Sequence, residues 1–109
     1  MAYDEELAGR IRDLVAGEPG LEEKKMFGGL AFLFGGNMAV AASGQGGLLV
    51  RVDPAQSEKL LAETSAYPME MRGRQMAGWL RVDAEQLAGD ELSAWVARGV
   101  AYARSLPAK

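Results

Sequence analysis

From Asp4 to Ala16 the apolar residues Leu7, Ile11, Leu14 and Val15 recur every three or four positions, and Glu5, Glu6, Arg10, Arg12 and Asp13 fill the other side. This period predicts an amphipathic helix. Acids in its first turn suit the positive end of the helix dipole, and Gly17, Pro19 and Gly20 stop it by about residue 16. From Leu21 to Val52 the grammar changes to short apolar runs separated by glycine, which predicts three or four antiparallel strands in a meander. Leu30, Phe32 and Phe34 alternate with Ala31 and Leu33, so the two sets take opposite faces. By the same alternation Leu48, Val50 and Val52 face one way, and Leu49 and Arg51 the other.

Asp53-Pro54 opens a second, short helix, with Asp as N-cap and Pro in its first turn, ending near Ala62 and burying Leu60 and Leu61. Tyr67-Pro68 then breaks the chain. Met69 to Arg72 and Gly78 to Val82 read as two more strands, with Gly73-Arg74-Gln75 as the link. Asp83 caps a single turn through Leu87, and Gly89-Asp90 starts a last helix lined by Leu92, Trp95, Val96, Gly99, Tyr102, Ala103 and Leu106, which Pro107 ends. The expected fold class is α+β. An antiparallel sheet of five to six strands is flanked by N-terminal and C-terminal helices in one domain over residues 1–109.

The 109 residues are 49% hydrophobic and 25% charged, as in ordinary globular chains. Cysteine and histidine are both absent, which removes thiolate nucleophiles, disulfides, Cys/His zinc sites and His-based triads. Other chemistry fares little better. Gly44-Gln45-Gly46-Gly47 begins like a dinucleotide fingerprint, but Leu49 holds the third glycine position and the segment joins two strands, so it reads as a hairpin turn. No P-loop is present. The paired acids Asp4-Glu5-Glu6, Glu22-Glu23 and Asp90-Glu91 fall at helix starts or solvated ends. Ser57 and Lys59, two apart on a helix, point in different directions and form no dyad. The chain is therefore expected to be no enzyme and to use no cofactor or metal.

Net charge is −3, unevenly spread. Residues 1–23 hold seven acids against two bases, whereas residues 24–82 hold seven bases against four acids. No acid occurs from Lys24 to Val52 or from Met71 to Val82, so the middle is where an acidic partner or a polyanion would bind. Trp95, Tyr102, Phe32 and Phe34 lie on apolar rows and are expected in the core. Trp79 lies two residues from Arg81, on the same strand face. These points make Met26, Phe27, Gly28, Gly29, Arg51, Arg72, Arg74, Trp79 and Arg81 the partner-binding candidates. No apolar stretch is long enough to span a membrane, and the N-terminus lacks the pattern of a signal peptide, so a cytoplasmic location is expected.

Lys25-Met26-Phe27-Gly28-Gly29-Leu30-Ala31-Phe32, then Leu48-Leu49-Val50-Arg51-Val52-Asp53, Met76 to Val82, Trp95-Val96 and Tyr102-Ala103 resemble the N-terminal domain of the TfoX/Sxy competence-regulator family, over nearly the entire chain. The resemblance implies a secretion-chaperone-like α+β sandwich. It also implies a bacterial-type regulator of DNA-uptake competence genes that works with other transcription factors, and it carries over no catalytic residue. Where family members often have Tyr and Lys, this chain has Leu49 and Arg51, which keeps the positive charge and loses the aromatic ring. The two-domain regulators add a C-terminal helical domain, whereas this chain stops at Lys109, just after the final helix of the first.

The leading expectation is a non-enzymatic regulatory or adaptor module that takes a protein partner through the sheet, its exposed edges or the Met26 to Gly29 loop, with a homodimer left open. The alternative is weak direct binding of nucleic acid by the basic middle. A small-ligand binder or enzyme ranks third.

Overall fold

A computed structural model describes residues 3–26, 28–71 and 73–107. Phe27 and Arg72, both binding candidates, lie outside the described residues. The chain runs α1 (Glu5–Val15), β1 (Leu21–Met26), β2 (Gly29–Phe34), β3 (Asn37–Ala42), β4 (Leu48–Arg51), α2 (Pro54–Glu63), β5 (Tyr67–Met71), β6 (Arg74–Val82), a single 3-10 turn (Ala84–Gln86) and α3 (Asp90–Ser105). The six strands form one antiparallel sheet in the order β1-β2-β3-β4-β6-β5. The meander is thus four strands long, and β6 returns beside β4.

Local chemistry accounts for most of these boundaries. The Asp4 carboxylate accepts from the Leu7 backbone N–H at 3.1 Å and caps α1, and the Asp53 carboxylate accepts from the Ala55 N–H at 2.9 Å to cap α2. Between β2 and β3, Gly35 and Gly36 take φ of 61° and 83°, the left-handed pair that a two-residue hairpin turn demands.

The sheet has two unlike faces. Leu30, Phe32, Phe34, Val40, Leu48, Val50, Leu80 and Val82 join Leu7, Ile11 and Val15 of α1, Leu60 of α2 and Leu92, Trp95 and Val96 of α3 in one buried cluster. All three helices contribute to that side. A smaller cluster on the opposite face contains strand residues alone: Ala31, Leu33, Met38, Ala41 and Leu49, with Met26, Met69 and Trp79 packed against it. The alternation read from the sequence is therefore correct in β2 and β4.

α3 approaches β3 closely at Gly99, where a Cβ would come within 2.5 Å of the Ala39 carbonyl oxygen. Its C-terminal end is held by Asn37, a buried amide that donates to the Pro107 carbonyl at 2.9 Å.

Four expectations need correction. Leu14 is 43% exposed, because α1 turns Leu7, Ala8, Ile11 and Val15 inward and leaves Leu14 at the border with α3. Tyr67-Pro68 does not break the chain but opens β5, an edge strand, where proline costs no ladder hydrogen bond on the solvent side. Arg74 and Gln75 belong to β6, which runs for nine residues and takes up a register shift against β5 with Gly78 at φ 82°. Asp83 does not cap the 3-10 turn with its side chain, which instead accepts from the Tyr67 hydroxyl at 2.8 Å.

Candidate binding face

The helix-free face of the sheet is hollow. Met26 of β1 and Tyr67, Met69 and Glu70 of β5 line the same cleft, although β1 and β5 are the opposite edges of the sheet. The sheet therefore curls, bringing its edges toward each other over a floor of Met38, Ala41 and Leu49. The cleft measures about 710 Å³ and is closed on one side by the β3–β4 loop at Ser43, Gly44 and Gln45.

In its apolar floor Ala41 and Leu49 follow from strand alternation and Met38 from the β-bulge between β2 and β3, and its shape follows from tight turns. Gly29 enters β2 where a Cβ would strike the Ala42 carbonyl, so the β1–β2 hairpin closes flush against β3. Gly47, at φ 74°, lies where a Cβ would come within 2.6 Å of the Val82 carbonyl oxygen, which fixes the β3–β4 loop over the end of β6. Three of the lining side chains are methionines, unbranched and polarizable, the type that adapts to irregular apolar partners.

The cations of this face are arranged in two ways. Arg81, opposite Leu49 in the β4–β6 ladder, lines the cleft and donates through Nη2 to the Gly46 carbonyl at 3.0 Å. Arg51 is the next outward-facing residue along β4 and lies opposite Trp79. Its guanidinium carbon is 5.2 Å from the centre of the Trp79 ring and 5.5 Å from that of Tyr102 on α3. Both distances are within cation–π range. Among the described residues the ion pairs are Arg12 with Glu23 and Arg104 with Glu18, so neither Arg51 nor Arg81 is neutralised by an acid there. Arg51 has no hydrogen-bond acceptor among the described residues either.

The fold thus gathers Met26, Gly29 and Arg81 around one cleft and sets Arg51 and Trp79 beside it. Gly28 is exposed in the β1–β2 turn at φ 76°, and Arg74 is exposed at the start of β6, away from the cleft lining. Tyr67, Met69, Met38 and Gln45 line the cleft without having stood out in the sequence, and Tyr102, expected in the core, is only half buried beside Arg51. Alternation placed Leu49 on this face, but it puts Met38 on the Val40 side, and the β-bulge between the Phe32–Val40 and Leu33–Met38 pairs is what turns Met38 to the cleft. The convergence of β1 with β5 had no local signal.

The described lysines and arginines of the middle segment are divided among β1, α2, β4 and β6, with Glu22, Glu23 and Glu70 on the same sheet. Among the described residues no group of three or more His, Cys, Asp or Glu could hold a metal ion, and no helix is long and apolar enough to cross a membrane. The Glu23 carboxyl is held below its usual range by the hydrogen bond from Arg12, at 2.8 Å, but this pair ties α1 to β1 and lies outside the cleft.

No curated protein matches the chain. The sequence pattern that defines the TfoX N-terminal domain matches residues 13–103, from within α1 to the last turns of α3, and thus takes in the whole sheet. The chain accordingly belongs to the TfoX N-terminal domain family.

Proposed function

We propose that this domain is a non-enzymatic regulatory or adaptor module that receives a segment of a protein partner in the cleft on the helix-free face of its sheet. The observation that carries this reading is a buried apolar layer of strand residues, Ala31, Leu33, Met38, Ala41 and Leu49, opening into a methionine-lined cleft with cationic side chains at its border. Such a surface offers both apolar contact and arginine anchors. The sheet edges are poorer docking sites: β1 carries Glu22, Glu23, Lys24 and Lys25, and β5 carries Pro68, residues that discourage strand addition. Helices gathered on one side of the sheet support the secretion-chaperone-like sandwich implied by the family resemblance. That resemblance also supports a cytoplasmic role in transcriptional or competence regulation.

The test compares the wild-type domain with Met69→Glu, which puts a charge on the half-buried wall of the cleft, and with Glu85→Lys, on the exposed 3-10 turn. Each is used as bait in nuclease-treated lysate of the native cells, and the retained proteins are cross-linked and their contact peptides mapped. Cross-links from the cleft rim to one near-stoichiometric protein, lost in Met69→Glu and kept in Glu85→Lys, would support the reading. Cross-links confined to the helical side would refute it.

A further inference from the structure

We infer that the partner segment seated in the cleft is acidic as well as apolar, and that a carboxylate of that segment is bound by Arg51, held against Trp79 and Tyr102. This deepens the adaptor reading and rests on it. A guanidinium within cation–π range of two aromatic rings is stabilised electrostatically, and it carries five N–H donors that this interaction does not consume. Those donors have no protein acceptor among the described residues, and none of the buried side-chain nitrogens there lacks a partner. The unpaired nitrogens of half-buried Arg51 are therefore not sealed from solvent. Freely hydrated arginines are common on surfaces, but an arginine whose guanidinium lies within cation–π range of two aromatic rings has part of its rotamer freedom restricted before a partner arrives. It is preorganised to receive a planar, bidentate carboxylate.

Position ties this anchor to the cleft. Leu49, in the cleft floor, and Arg51 are outward-facing neighbours on β4, so they stand roughly 7 Å apart. An apolar side chain on Leu49 and a carboxylate on Arg51 are then spaced as residues two apart in an extended segment or one turn apart in a helix. Arg81, whose guanidinium is tied to the Gly46 carbonyl, adds positive potential inside the cleft, and Glu70, which pairs with Gln75 beyond Trp79, lies on β5, two strands away from Arg51. With Arg51 and Arg81 both without an ion-pair partner among the described residues, complementarity favours an acidic group on the β4–β6 side of the cleft and an apolar body over its floor.

The experiment pans a random twelve-residue peptide library displayed on phage against the immobilised domain, with Met69→Glu and Arg51→Gln as parallel baits. The best peptides are then resynthesised with Asp or Glu replaced by Asn or Gln, and affinities are measured by fluorescence anisotropy. The inference expects peptides that combine apolar residues with an acid at the stated spacing, and about a tenfold or greater loss of affinity from either the peptide amide or Arg51→Gln, with no further loss when both are combined. The peptide amide leaves the domain untouched, so the test holds even if Arg51→Gln is poorly folded. Arg51→Lys, which keeps the charge without the planar fork, should give an intermediate loss. Apolar peptides lacking acids, bound equally by Arg51→Gln, would overturn the inference and leave the cleft reading standing. Acidic peptides indifferent to Met69→Glu would overturn it by separating the anion from the cleft. No enrichment on the wild-type domain would overturn both.

Discussion

Gly99 of α3 sits so close to Ala39 of β3 that an added Cβ would lie 2.5 Å from the Ala39 carbonyl oxygen and 2.9 Å from Val40 Cγ1. Backbone, rather than a flexible side-chain tip, would have to move. Gly99→Ala should therefore destabilise the domain by about 1–3 kcal/mol, overpacking outweighing the better helix propensity of alanine. Gly9 in α1 supplies the control, because its Cβ would meet nothing within 4 Å. Gly9→Ala should stabilise by about 0.5–1 kcal/mol. Urea denaturation of the two variants should move the midpoint in opposite directions.

Asn37 is expected to matter more than its place in a hairpin implies. It is only 2% exposed, and its amide holds the Pro107 carbonyl at the end of α3. Asn37→Ala should cost about 1–2 kcal/mol, and hydrogen exchange should accelerate most in the last turn of α3. Uniform acceleration throughout the chain would mean that the bond does not anchor the helix end.

The two tryptophans should separate stability from binding. Trp95 is 1% exposed within the helix-covered core, so Trp95→Ala should cost about 3–5 kcal/mol and leave little folded protein. Trp79 is half buried on the other face beside Arg51, and Trp79→Phe should keep the fold while weakening partner capture. Thermal melts followed by circular dichroism, read alongside binding, check both.

The Arg12–Glu23 pair gives one predicted acid dependence. The bond from Arg12 lowers the Glu23 pKa in the folded protein, so its contribution is present above the ordinary glutamate range and is lost as pH falls through the lowered folded value. Glu23→Gln should reduce stability near neutral pH and converge with the wild type in acid. The difference should shrink in high salt, because both side chains are substantially solvent-exposed. Urea midpoints between about pH 3 and about pH 7 would test the sign.

What the sequence made legible was whatever a short window encodes. Alternation in Leu30 to Phe34 placed the two face sets correctly, Asp53-Pro54 marked the start of α2, and the position of Arg51 on the Leu49 row emerged from parity alone. The errors lay where a distant group competed. Asp83 satisfies the Tyr67 hydroxyl rather than its own turn, Pro68 is accommodated because β5 is an edge, and β6 persists through Arg74 and Gln75 by pairing with β5. Leu14 fits the helical period, but the width of the stripe that α1 buries is set by what packs beside it.

For the site, the sequence by itself determined the ingredients: an apolar row, a basic middle and an arginine two residues from Leu49. Only the tertiary structure decided that Met26 and Met69, on opposite edges of one sheet, would share a cleft, and that Tyr102 of the last helix would join Trp79 around Arg51. The physical reason is range. Side-chain period and turn chemistry act over a few residues and leave a mark in composition, whereas sheet curl and helix approach are sums over every strand pair and close contact, including the missing Cβ atoms of Gly29 and Gly99.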